Sequence, residues 1–322
     1  MFPVIPAIPA IPSISRLSFI LISLFLLSTS QAQAQKENKD NKAGNKSAPV
    51  TFTLFAAGDI ADCRKKPAEQ TMAAQTAQLI EQGLVQDKNA YAVSLGDNTY
   101  PIGKPSEFSD CYEKTWGKFK TRTLPSPGNH DYGVPLAQGY YNYFDELAGS
   151  ERRGYYKKVL GNWLLLSLNS NIKQQAMRDQ ITWLKNELKE KQNSCVLAFW
   201  HHPVFSSGGH GDTAIMQEAW QLLADAGADI VLASHDHNYE RFTPLDKNGR
   251  RHDKGIRSFV VGTGGAKLTP MFFPKSISDI RQNEVHGVLK LQLHANSYDW
   301  EFLATPGTIA SGFSDKGHST CH

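Results

Sequence analysis

Short apolar runs alternate with longer amphipathic ones along most of this chain. "VTFTLFAAG" (50–58), "AYAVSLG" (90–96), "NWLLLSLNS" (162–170), "CVLAFW" (195–200) and "ADIVLAS" (228–234) are apolar throughout and stop at glycine or polar residues, which predicts buried strands. Between them "PAEQTMAAQTAQLIEQG" (67–83) predicts a helix, with Pro67 in its first turn and Gly83 at its end. "QAMRDQITWLKNELKEK" (175–191) sets Met177, Ile181, Leu184 and Leu188 on one helical face. "DTAIMQEAWQLLADAG" (212–227) predicts a third helix, with Asp212 as N-cap and Gly227 as C-cap. Residues 98–155, dense in Gly, Pro and Tyr, read as one long loop-rich region. After 234 the pattern changes. "IRSFVVGTGG" (256–265), "GVLKLQLHA" (287–295) and "SYDWEFLAT" (297–305) read as strands without helices between them, the last two as a hairpin about Asn296. Strand–helix alternation followed by a strand-rich tail predicts an α/β fold of mixed sheets with helices outside. No internal repeat and no second domain stand out.

The first residues break this pattern. "SFILISLFLLSTSQAQAQ" (18–35) is an apolar run behind Arg16 that ends in Ala32-Gln33-Ala34, the form of a signal peptide (1–34) cleaved after Ala34. An uncleaved anchor is the competing reading, but the apolar core Leu17–Leu27 is short for a bilayer span. Residues 35–50 are rich in Lys and Asn and nearly free of apolar side chains, so they read as a flexible leader. The single folded domain is then 51–322, large enough for a substantial core. Lys+Arg number 34 against 31 Asp+Glu, a balance that gives no reason to expect a nucleic-acid partner. Export permits disulfides, and four cysteines allow three pairings. Cys63 and Cys111 each follow a strand-end Asp and are the expected bridge, while Cys195, inside an apolar run, reads as a buried thiol.

The chemistry collects where the strands end. Gly58-Asp59 follows the first and Gly96-Asp97 the second; "PGNHD" supplies Asn129, His130 and Asp131; His201-His202 follows 195–200; His235-Asp236-His237 follows 228–234. Any one of these alone is an ordinary turn or a structural histidine. Together, at the carboxyl ends of α/β strands where ligands bind, they form a set of carboxylate, amide and imidazole groups. Imidazole suits zinc and iron, carboxylates can bridge two cations, and the set is large enough for two metals.

The blocks "GDIA", "GDNTY", "PGNHD", "FWHHP" and "SHDHNYER" resemble those of the calcineurin-like metallophosphoesterase superfamily, over roughly residues 51–304. Ala61 stands where the first block usually has a histidine, and Ser234 where the last usually has glycine. Within the superfamily, the purple acid phosphatase branch lacks that histidine and has a tyrosine three residues after the bridging Asp. "GDNTY" and "HNYER" resemble that branch, in its small single-domain form. The resemblance implies a four-layer sandwich of two mixed β-sheets flanked by helices. It implies one metal held by Asp59, Tyr100 and His237, a second held by Asn129, His201 and His235, and Asp97 bridging both. A phenolate from Tyr100 suits Fe(III); the partner would be a divalent ion, Fe, Zn or Mn. His201 rather than His202 is the ligand, because the branch places it two residues before a proline, here Pro203, and His202 then faces away. His130 and His210 would face the substrate, with His210 on a glycine-containing loop able to close.

The implied activity is hydrolysis of a small phosphate monoester by metal-activated hydroxide, with His130 and His210 as the candidates to protonate the leaving group. A phosphodiesterase or nucleotidase on the same core is the alternative; a non-catalytic metal-binding protein is a remote one. The sequence fixes neither the natural ester nor the oligomeric state. The cluster "GYYNYF" (139–144) suits core packing better than a substrate rim, and the resemblance implies that the glycine-rich "FVVGTGGAKL" (259–268) sits under the site.

Overall fold

Alternation within two adjacent strands shows how the layers form. In β5 (Trp163–Ser167) and β6 (Cys195–Phe199) every residue is buried, because both faces are covered. Trp163, Leu165, Leu197 and Phe199 join the core shared with the facing sheet, while Leu164, Leu166, Val196 and Ala198 pack with a separate helix-covered core. The period of two thus assigns each face to its own layer.

The computed structural model describes residues 50–306 and 313–322. The expected signal peptide (1–34) and, apart from Val50, the leader (35–50) lie outside the described residues. The remaining strands are β1 (Phe52–Ala57), β2 (Ala90–Leu95), β3 (Thr123–Ser126), β4 (Tyr156–Leu160), β7 (Ile230–Ala233), β8 (Tyr239–Phe242), β9 (Arg257–Val261), β10 (Ser278–Gln282), β11 (Gly287–Leu293), β12 (Ser297–Ala304) and β13 (Lys316–Thr320). The first sheet runs β13-β12-β11-β1-β2-β3 and the second β10-β8-β9-β7-β6-β5-β4. Each is mixed. β1, β2 and β3 are parallel, as are β5, β6, β7 and β9, and the outer strands are antiparallel. The expected hairpin is present, with Leu293 opposite Tyr298.

The helices are α1 (Met72–Gln86), α2 (Gln138–Phe144), α3 (Gln174–Glu190) and α4 (Gln217–Asp225). Two of these helices differ in their bounds from expectation. α1 is capped by Thr71, whose hydroxyl accepts the Ala74 N–H, and it runs through Gly83 to Gln86. Gly83 is there for packing: a Cβ would come within 2.2 Å of the Phe55 ring. α4 starts after Asp212, whose carboxylate instead accepts the Ser206 N–H at 2.9 Å and pairs with Lys275. Gly227, at φ +69°, does end that helix. The loop-rich region holds β3 and α2; Tyr140, Tyr141 and Phe144 of α2 are buried, so the aromatic cluster packs the core.

Both cysteine expectations can be judged. Cys63 and Cys111 are bonded, with Cα atoms 5.8 Å apart. Cys195 is not a free thiol: it is bonded to Cys321, Cα–Cα 5.5 Å. The antiparallel return of β13 along β12 carries the chain end to the start of β6, which no local pattern around Cys195 could indicate.

Candidate metal centre

Asp59, Asp97, His201 and His235 each stand two residues past the end of β1, β2, β6 and β7, and Asn129 three past β3. Asp59, Asp97 and His235 turn the chain there with φ of 58°, 49° and 70°, a left-handed conformation costly for these residue types and typical of sites under functional constraint. Gly96, at φ +91°, lies against His201; a Cβ would come within 2.6 Å of its Nδ1.

Four donor atoms converge on one point. Tyr100 Oη lies 3.0 Å from Asp59 Oδ1, 3.4 Å from Asp97 Oδ2 and 3.3 Å from His237 Nε2, and His237 Nε2 lies 3.2 Å from Asp59 Oδ1. A second group shares the same Asp97 oxygen. His201 Nε2 is 3.4 Å from Asp97 Oδ2, 3.0 Å from Asn129 Oδ1 and 3.2 Å from His235 Nδ1. Edges of about 3 Å suit ligand atoms at roughly 2.0–2.2 Å from a first-row cation. The donors therefore fit a metal pair. Ala61 runs beside the tyrosine, its carbonyl accepting the Tyr100 N–H at 3.1 Å.

The imidazole protons are placed for ligation. His201 Nδ1 lies 2.9 Å from the Leu95 carbonyl and 3.0 Å from Ser234 Oγ, and His237 Nδ1 lies 2.8 Å from the Lys267 carbonyl. A carbonyl only accepts, so both rings carry a proton on Nδ1, which leaves Nε2 as the nitrogen that faces the donors, the usual arrangement behind metal-binding histidines. Ser234 is therefore more than a small replacement for glycine: its hydroxyl donates to Leu95 O at 2.6 Å and supports His201.

The electrostatics favour cations. Burial alone would raise Asp59, but His237, with His201 and His235 behind it, holds the carboxyl well below the usual range. Burial opposes charge on His201 and His237, yet Asp97 lifts the first and Asp59 the second to about 9. Burial and the nearby His201 push His235 down to about 3. Burial, then the carboxylates of Asp59 and Asp97, push the Tyr100 phenol well above its ordinary value, so only a strong cation could ionise it. Carboxylates that draw protons onto two buried imidazoles draw metal cations for the same reason.

The outer histidines fall into place around this cluster. His130 donates its backbone N–H to Asp97 Oδ1 at 2.8 Å, and its ring, 37% exposed, is held at Nδ1 by Pro101 O. The His210 ring lies 4.3 Å from that of His235. Its loop is not built to close freely. Buried Asp236 accepts Ser206 Oγ at 2.5 Å and the His210 N–H at 2.8 Å, and buried Glu240 accepts the Ser207 N–H at 2.8 Å. His202 does not face away: its ring lies 4.4 Å from the ring of His235, on the same side as the cluster. The reason is Ser170, at the end of β5, which binds it at 2.8 Å. Asp236, Glu240, Ser170 and Asp131 were all missed as site residues. Asp131 accepts from Gly128 N and Asn98 Nδ2 at 2.8 and 2.9 Å and anchors the Asn129 loop; burial, and the charge of Asp97, raise it to about 7. The one signal available was that polar residues inside the motifs, between the ligands, are also placed by the strand ends. The glycine-rich segment contributes backbone: Ala266 N–H donates to Asp59 O at 2.8 Å.

Residues 52–239 match the family of calcineurin-like phosphoesterases. The chain is 26% identical over 204 residues to purple acid phosphatase 18 of Arabidopsis thaliana, covering 56% of this chain and 45% of that protein. It is 28% identical over 190 residues to tartrate-resistant acid phosphatase type 5 of Rattus norvegicus, covering 49% and 58%. The chain thus spans about half the length of the curated relatives it matches. Its fold is similar to that of purple acid phosphatase PPD1 from yellow lupin (Lupinus luteus), with a TM-score of 0.67, 16% identity, and 84% of this chain and 54% of that one covered. It is similar also to GAP50, the anchor in the inner membrane complex of Plasmodium, with a TM-score of 0.64, 15% identity, and 84% and 89% covered.

Proposed function

This chain belongs to the calcineurin-like phosphoesterase family, and we propose that it is a dinuclear-metal phosphomonoesterase of the purple acid phosphatase kind. In this reading Asp59, Tyr100 and His237 hold one cation, Asn129, His201 and His235 the other, and Asp97 bridges them. The observation that carries it is the single Asp97 oxygen, 3.4 Å from both Tyr100 Oη and His201 Nε2, where the two donor groups meet. When bound, the cations supply Lewis acidity toward the phosphoryl group and a water acidic enough to attack it. The chain's own groups supply the rest. His130, held by Pro101 O, and His210, held by Asp236, present imidazoles to the ester, to bind its oxygens and to protonate the leaving oxygen. The apolar run near the N-terminus supports export; among the described residues no helix is long and apolar enough to cross a membrane.

Tyr100 makes the reading testable, because a phenolate on Fe(III) absorbs visible light. The purified, air-oxidised protein should show a broad visible band and hydrolyse an aryl phosphate, and Tyr100→Phe should lose the band. A colourless wild type that still hydrolyses the ester would remove iron and favour a Zn or Mn pair; a protein inert toward phosphate esters with any of these metals would end the phosphatase reading.

A further inference from the structure

His202 has the opposite proton arrangement to its neighbours. Ser170 Oγ accepts the His202 backbone N–H at 3.1 Å and lies 2.8 Å from His202 Nδ1. Ser170 is buried, and its hydroxyl has no other partner among the described residues. The hydroxyl's one proton therefore goes to Nδ1, which leaves the ring proton on Nε2. His201 and His237, with Nδ1 committed to carbonyls, turn Nε2 toward the donor cluster. His202 has an N–H to offer instead, and Nε2 makes no hydrogen bond to any described residue. The ring is partly exposed and lies against His235, which also contacts the His210 ring, at ring separations of 4.4 and 4.3 Å. One ring nitrogen each of His201, His202 and His235 lies within 4.8 Å of the others.

A lone pair there would serve a cation; a neutral N–H serves an anion's oxygen. We infer that His202, oriented by Ser170, donates its Nε2–H to a non-bridging oxygen of the phosphoryl group bound beside His235. It is a substrate-binding residue additional to His130 and His210, and it is not a metal ligand. The inference rests on the phosphoesterase reading.

The test uses the purified full chain with its metals as isolated, measuring metal content, the KM for an aryl phosphate and the inhibition constant of inorganic phosphate. His202→Phe keeps a ring but removes the donor. It should raise the phosphate inhibition constant and KM about ten- to hundredfold, the worth of one hydrogen bond to a charged group, with metal content unchanged. His202→Gln, which restores an N–H near the Nε2 position, should recover most of the loss. Ser170→Ala, which frees the ring to take the other tautomer, should give a smaller rise of about threefold. A phosphate constant that does not move in His202→Phe, or a His202→Phe protein that loses metal, overturns the inference while leaving the enzyme reading standing. A wild type that neither binds phosphate nor turns over the ester sinks both.

Discussion

The two sheets bring different chemistry to the seam between them. The strand ends of the first sheet contribute oxygen: Asp59 after β1, Asp97 and Tyr100 after β2, Asn129 after β3. Those of the second contribute nitrogen: His201 after β6, His235 and His237 after β7. Alone, the first set is two fully buried carboxylates, and among the described residues no Lys or Arg pairs with either; the second is a group of imidazoles that burial keeps from charging. Only the docked sheets bring these donors together into a candidate cation site. The docking is local and polar at this end, where His235 N–H donates to Asp59 Oδ2 at 2.9 Å and Gly58 N–H to Val261 O at 2.9 Å. At the other end of β6 a covalent link, Cys195–Cys321, joins the second sheet to the residue after β13 of the first. The site is thus a property of the interface between layers, and neither sheet holds it by itself.

The hardest blow to this arrangement is the residue both halves share. Asp97→Ala removes the oxygen that lies 3.4 Å from both Tyr100 Oη and His201 Nε2. Turnover should fall on the order of a thousandfold or more, since several kcal/mol of Lewis-acid stabilisation disappear with the metals. Metal analysis of the variant should find both cations depleted. Normal turnover would mean that the oxygen and nitrogen sets work independently, and the dinuclear proposal would fail.

His130 separates holding metal from using it. Its contact with Asp97 is through the backbone N–H, which alanine keeps, whereas its ring Nε2 stands 3.9 Å from Asp97 Oδ2 and partly open to solvent. His130→Ala should therefore retain both metals and lose about a hundredfold in kcat, within the range of a lost acid–base or binding group. Metal loss in this variant would move His130 into the ligand set and force a new division of donors between the sheets.

The oxygen and nitrogen sets were legible in the sequence because buried parallel strands are apolar to their last residue, so Asp, Asn or His immediately beyond stands out. The central strands were legible for the same reason, and α3 because Ile181, Leu184 and Leu188 recur at helical spacing on its buried face. The edge strands β10 (SDIRQ) and β13 (KGHST) were not: they alternate polar side chains and expose one face, so their strand character comes from pairing. Gly83 looked like a helix end because its partner, Phe55, is on a different strand. Cys195 looked like a thiol because its partner is 126 residues away. His202 was expected to face away, and Asp236 was given no role, because a motif marks spacing along the chain, and what each side chain touches depends on Ser170 and Ser206 from other elements.

Asp236 carries the smallest of these effects and the most local one. It sits between His235 and His237, yet its carboxylate serves the loop 206–211: Oδ2 accepts Ser206 Oγ at 2.5 Å, Oδ1 the His210 N–H at 2.8 Å, and Oδ2 the Gly211 N–H at 3.3 Å. Asparagine has one acceptor where these donors need two, and its amide would turn an N–H toward another N–H. In Asp236→Asn the loop should lose its hold on His210 while the backbone around the ligands keeps its course. We expect kcat to fall about tenfold, the lower end for a supporting residue, with metal content unchanged and amide exchange faster at 207–211. Faster exchange with full activity would show that His210 does not act from this loop position. Lost metal with unchanged exchange would show that the residue between the two histidines acts on the ligands themselves, so that the second sheet supplies more than nitrogen to the seam.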